Sequence, residues 1–317
     1  MSFDFSLVSA PFRMQPGLRR IGAGEAQLTA STPNGRHLRE KMAVLASFPR
    51  QALCAVDSFD VVPVLRTIAG EAARSSPCAF EADERATGLR CRAPLLGWSI
   101  DDHGVPIGDG DPAIGTLLRE LPPRDRAVAL LCLAFEEDFA VLDGRNATVP
   151  WLAVCLPSRW APEDKIGRHF AAIHAPVADN AVLLAAGESL ARLVTGSERW
   201  ERFVWTVTAD PRLHQHPARG IAPWPAGDAA AAAAAASLRS ERQTFIPIAA
   251  AAQAVFTIRV ASMPLVAAVT NASDAARLHA ALASMSADVL AYKGLTDARD
   301  RLLDWLASRR TPTPARP

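Results

Sequence analysis

The chain has 317 residues, 50% of them hydrophobic, which allows one large domain or two of ordinary size and excludes wholesale disorder. A formal net charge of +1 and few aromatics, with Tyr292 the only tyrosine, exclude a basic stacking surface for nucleic acid. Five widely spaced cysteines without a C-x-x-C pair fit reduced thiols in a cytoplasmic protein, not a disulfide frame or an iron–sulfur cluster.

The amino-terminal segment, MSFDFSLVSAPFRMQPG, carries Asp4 and two prolines and has no continuous apolar stretch, so no secretory signal is expected. No long apolar run predicts a membrane span either. Residues 1–115 read as a mixed, loop-rich extension packed on a core at 116–317. Within it His37 to Phe48 and Val61 to Ser76 predict helices, and Asp101 to Pro112 predicts a solvated turn cluster.

The stretch PPRDRAVALLCLAFEEDFAVL predicts a helix through Glu137 and then an extended piece into Leu142, with Glu136, Glu137 and Asp138 as a solvated acidic end. An inward carboxylate there would suit a cationic amine. VPWLAVCLPS predicts a buried strand, with Cys132 and Cys155 as core residues. A helix is then expected from Pro162 to His174, with Glu163 and Asp164 at its positive end and Pro176 stopping it. Ile166, Phe170, Ile173 and His174 would share its apolar face.

DNAVLLAAGESLARLVTG predicts another helix closed by Gly196, and RFVWTVTADP a strand. Eight alanines, Ala229 to Ala236, predict an exposed insertion or a short solvent helix. RSERQTFIPI and QAVFTIRVASMPL predict two successive strands, and the last two amphipathic segments predict closing helices. The sum is α+β, helices on a mainly antiparallel sheet.

No phosphate loop, dinucleotide fingerprint or G-x-S-x-G elbow is present, and the spacing of His169 and His174 does not suit a zinc pair. His214 and His216, near Asp210, read as a polar loop ending at Pro217 in preference to a metal pair. His174 has two readings: a core histidine bonded to a carbonyl, or a proximal ligand to haem iron.

Four stretches in order carry a resemblance: FEEDFAVL, LPSRWAPEDKIGRHFAAIHAPV, RFVWTVTADPRLHQHP and RSERQTFIPI with AVFTIRVASMPL. Together they resemble the haem-dependent oxidative N-demethylase alpha-subunit family. The resemblance implies a PAS-like antiparallel sheet that binds haem b and activates O2 against the N-methyl groups of small amines. His174 falls on the position of the proximal iron ligand. Arg239, Glu241, Arg242, Gln243 and Thr244 fall on a second motif, and Val204-Trp205, Asp210 and His214 on a third.

On a strand, Arg239, Glu241 and Gln243 share one face and Arg242 the other, so one arginine can meet a haem propionate while its neighbour faces out. Lys165 and Trp205 are further cofactor-binding candidates, and His214 and Glu241 are the catalytic candidates, His214 as a distal donor or a rival axial ligand. With no flavin or iron–sulfur motif in the chain, electrons are expected from an external reductase that carries them. The chain reads Pro176-Val177-Ala178 where the family usually reads PVP, and Val204 where it usually has Asn. These two departures keep a rival class open: a PAS-like sensor that holds haem or a small ligand without turnover.

Overall fold

The computed structural model describes residues 3–22, 24–248 and 250–310. The first two residues read for a signal and the last seven of the 116–317 division lie outside the described residues. Eleven strands are present among them: β1 (Arg19–Arg20), β2 (Leu53–Ala55), β3 (Glu81–Arg85), β4 (Gly88–Ala93), β5 (Trp98–Ile100), β6 (Pro106–Gly108), β7 (Glu137–Asp143), β8 (Thr148–Ala153), β9 (Trp200–Thr208), β10 (Ser237–Ile248) and β11 (Gln253–Pro264). They form a seven-stranded sheet in the order β1-β9-β10-β11-β7-β8-β2 and a four-stranded sheet in the order β3-β4-β5-β6. Every pairing in both is antiparallel.

The long hairpin of β10 and β11 is the centre of the larger sheet, with β9 on one side and β7 on the other. Pro247 is tolerated in β10 because it lies beyond the last β9 pair, Phe245 with Trp200, where its missing N–H removes no bond to that neighbour. Two cores flank the sheet. One joins Leu45, Leu65, Ile68 and Phe80 of the amino-terminal part to Leu130, Phe135, Phe139 and Val255. The other packs Trp205, Val207 and Leu238 under the helices Ala272–Ala283, Ala287–Lys293 and Arg299–Arg310.

Several expectations need correction. The helix expected through Glu137 ends at Ala134, and the three acids are not solvated. Asp138 is 1% exposed and pairs with the fully buried Lys41 at 3.2 Å. Glu137 accepts from the Thr29 amide at 2.9 Å, and Glu136 pairs with Arg259 at 2.6 Å. The carboxylates tolerate burial because each has a partner, and the chain enters β7 at Glu137, opposite Arg259 of β11.

The helix expected over Pro162 to His174 is two pieces, a 3-10 turn Pro162–Asp164 and a helix Phe170–His174. Gly167 between them has φ +69°, a left-handed conformation that breaks a helix, and its amide donates to Val149 O at 2.8 Å. The next helical expectation is likewise split, into Ala181–Ala185 and Gly187–Val194. The alanine run does form the helix Ala229–Ala235, but Ala232 and Ala233 are fully buried and Ala236 is 1% exposed, so it is a core element. The turn cluster at Asp101 to Pro112 contains the short strand β6.

Candidate functional site

The register of β9, β10 and β11 sets one wall of the site. Arg202, Val204 and Thr206 of β9 stand opposite Gln243, Glu241 and Arg239 of β10, and Ile258 of β11 lies opposite Gln243. Directly opposed residues share a face, and all of these line one cavity of about 570 Å³. Ala140 and Leu142 of β7 and Phe245 and Phe256 of the central hairpin continue the apolar wall. Segment 158–177 covers it, contributing Ser158, Trp160, Lys165, Phe170, Ile173 and His174. Tyr292 and Lys293, at the end of the helix Ala287–Lys293, close a further side. The volume falls within the range of small-molecule and cofactor pockets.

His174 is partly buried and lies against the Phe170 ring at 4.0 Å between centroids. Its Nδ1 is 2.8 Å from Phe170 O. A carbonyl only accepts, so Nδ1 carries the proton and Nε2 keeps its lone pair. Burial lowers the pKa of this histidine, the Phe170 carbonyl opposes that, and the charges of Arg202 and Lys165 add to the lowering. The neutral imidazole with a carbonyl-fixed tautomer is the state a metal ligand requires.

The other expected residues divide between those in the cavity and those outside it. Lys165 and Trp205 line it. Trp205 also packs edge-on against Phe12, ring centroids 5.6 Å apart, and its carbonyl accepts from Lys293 Nζ at 3.0 Å. Glu241 lines it too, held by Ser158 Oγ and, at 2.6 Å, by Gln243 Nε2. Arg239 reaches the cavity, but its guanidinium is spent on Ser158 Oγ at 2.8 Å and on the carbonyls of Arg212 at 3.0 Å and Leu213 at 2.9 Å. It is 1% exposed, and burial pushes its pKa down to about 10.

Arg242 does not face the cavity. It stands on the opposite face of β10, pairs with Glu201 at 2.8 Å and donates to Ala26 O at 2.8 Å. His214 is also outside the cavity lining. Its Nδ1 lies 2.7 Å from Cys155 O, and its Nε2 is buried without a hydrogen-bond partner. His216 contacts Glu163 at 3.1 Å and Asp210 pairs with Arg212, so the three do not converge. No cluster of three or more metal-ligating side chains exists among the described residues. The acids at 136–138 likewise do not line the cavity.

Three cations of the cavity escaped the sequence reading: Arg159, Arg202 and Lys293. A signal for Arg202 existed, since alternation in WERFVWTVT puts a charge on the same face as Val204 and Thr206. Lys293 ends a helix that lay unread between two predicted ones. Arg159 Nη1 donates to Lys293 O at 2.6 Å. Gly294, at φ +65°, leaves the room that the Arg159 guanidinium occupies.

These features define an α+β protein with a ligand-sized, largely apolar cavity set against an antiparallel sheet, bearing one imidazole and several cations. The chain belongs to the haem-dependent oxidative N-demethylase, alpha subunit-like family, whose model matches residues 77–303. The residues present fit a haem: a neutral imidazole with an available Nε2, apolar walls for a macrocycle, and cations for its carboxylates. No helix among the described residues is long and apolar enough to cross a membrane.

Proposed function

We propose that the chain is a cytoplasmic haem-dependent monooxygenase, or the catalytic subunit of one, that oxidatively N-demethylates a small amine. Its core at 116–317, a PAS-like sheet with the carboxy-terminal helices, holds haem b, and the extension at 1–115 packs on that core. The observation that carries this reading is the Nδ1 contact of His174 with Phe170 O at 2.8 Å, in the wall of the cavity. It fixes the tautomer that leaves Nε2 free for iron.

Bound haem would supply O2 activation: one oxygen atom enters the N-methyl C–H bond, and the other leaves as water with two electrons and two protons. The resulting carbinolamine separates into formaldehyde and the dealkylated amine. The electrons come from an external reductase of the flavin and iron–sulfur class. His174 holds the iron, and the apolar walls around Phe170 and Ile173 keep water from the reacting centre. Trp205 fixes the wall next to Lys293, and Lys165 places charge near the imidazole. Glu241 is the acid–base candidate as a carboxylate of the cavity wall, oriented by Ser158 and Gln243. His214 has no role at the reacting centre in this arrangement.

The test is an absorption spectrum of the purified protein, reconstituted with haem, beside His174→Ala. A strong Soret band in the parent that is shifted or lost in the variant is expected. A parent that takes up no haem would remove the oxygenase reading and leave His174 a packed core histidine. Dimethylamine, reductant and O2 should then yield formaldehyde with the parent alone.

A further inference from the structure

The cavity holds a charge imbalance that the chain does not correct by itself. Arg202 lines it from β9, and its Nε is buried with no hydrogen-bond partner. The counter-charge it feels is that of Glu241, yet both carboxylate oxygens of Glu241 are engaged by Ser158 and Gln243. Lys293, 7% exposed, gives one N–H to Trp205 O at 3.0 Å and faces the Phe12 ring at 5.1 Å. An ammonium has further donors to satisfy. The two cations feel each other: burial lowers the pKa of Lys293 to about 8, and Arg202 adds to that lowering against the pull of Glu241. A buried ammonium and a partly buried guanidinium beside one spoken-for carboxylate leave donors that a further anion would satisfy.

We infer that Arg202 and Lys293 form a carboxylate-binding subsite inside the cavity. A guanidinium fork suits a carboxylate because it donates two parallel charge-assisted hydrogen bonds, and an adjacent ammonium adds a point charge. The carboxylate belongs to a haem propionate or to a carboxylate-bearing substrate. The first source rests on the haem reading above, and the second does not. The two arginines that the sequence motif suggests for this task are unavailable: Arg239 is tied to backbone carbonyls, and Arg242 lies on the other face of the sheet. The subsite therefore uses β9 and the helix Ala287–Lys293 instead.

Titration of the wild type, Arg202→Met, Lys293→Met and Arg202→Lys with haem and with haem dimethyl ester, followed at the Soret band, separates the sources. A propionate occupant makes the wild type bind haem at least about tenfold tighter than the ester, and either methionine variant erases that preference while keeping its ester affinity. Arg202→Lys should retain part of it. Equal binding of haem and ester moves the test to the ligand-free protein, with N-methylglycine and dimethylamine as probes. A thermal midpoint raised by N-methylglycine but not by dimethylamine, and only with Arg202 and Lys293 intact, assigns the subsite to a free carboxylate ligand. A preference unaffected by both methionine variants, or no response in either arm, overturns the subsite. A protein that binds neither porphyrin yet answers to N-methylglycine sinks the haem reading alone.

Discussion

Lys293 shows how one side chain links the cavity to solution conditions. Its folded pKa of about 8 lies below the ordinary lysine value, so the unfolded chain holds more protons at that position between the two. Stability must then rise with pH across that window: the cost of charging Lys293 is fully present below pH 8 and is lifted as pH climbs toward the ordinary value. The difference is roughly 3 kcal/mol at its upper limit. In the ligand-free protein, denaturant unfolding of the wild type and Lys293→Met at pH 7 and pH 10 is expected to show the wild type gaining on the variant at the higher pH. A gap independent of pH would mean that the ammonium is not desolvated. At this scale His174 and Arg239 were legible because motif and periodicity both touch them. Whether an arginine is free or tied depends on which backbone carbonyls surround it, so Arg239 and Arg202 exchange importance only once the strands are paired.

The alanine run from 229 to 236 illustrates the same limit for whole elements. Its helix propensity was readable, but its burial was not, because alanine is equally at home in solvent and where a close helix contact leaves room for only a methyl group. The helix Ala229–Ala235 packs against Arg299–Arg310, with Ala232 and Ala233 inward and Ala234 exposed. Ala233→Leu is expected to cost about 1–3 kcal/mol by overpacking, whereas Ala234→Leu should change stability by less than about 0.5 kcal/mol. Equal urea midpoints for the two would place the run at the surface after all. The break at Gly167 was hidden for a related reason: the apolar spacing from Ile166 to Ile173 passes straight through it, and only the contacts with β8 show that the chain turns at Gly167 and bridges Thr148 through His169. The strand β3 is hidden because EADER is mostly charged, whereas β4 carried a signal, since Leu89, Cys91 and Ala93 alternate with Arg90 and Arg92 in GLRCRA.

Across the whole molecule, the amino-terminal part and the large sheet meet over buried charge as well as apolar packing. Lys41, in the helix Arg36–Ser47, reaches Asp138 of β7 and donates to the carbonyls of Phe135 and Glu137. Asp138 in turn accepts from the Leu156 amide at 2.6 Å, at the start of the segment that leads to His174. Asp138→Ala leaves the Lys41 charge buried without its partner, and a loss of about 3–5 kcal/mol is expected in urea unfolding. Lys41→Met combined with Asp138→Ala should recover much of that, since no unpaired ion remains; a double variant as weak as the single one would assign the loss to packing. The α+β class and the antiparallel order of the last strands were legible from period and turn signals. The tie between Lys41 and Asp138 was not, because residues 97 positions apart announce no pairing in a single sequence.

A cavity walled by Ala140, Leu142, Phe245, Phe256 and Ile258 also means that the ligand-free chain keeps hydrocarbon in contact with water. Drying those walls leaves a calorimetric trace that does not depend on colour or turnover: a negative heat capacity of binding. Titrations with haem at several temperatures should give an enthalpy that grows more exothermic on warming. A flat enthalpy would mean that the ligand settles elsewhere and the hollow stays wet.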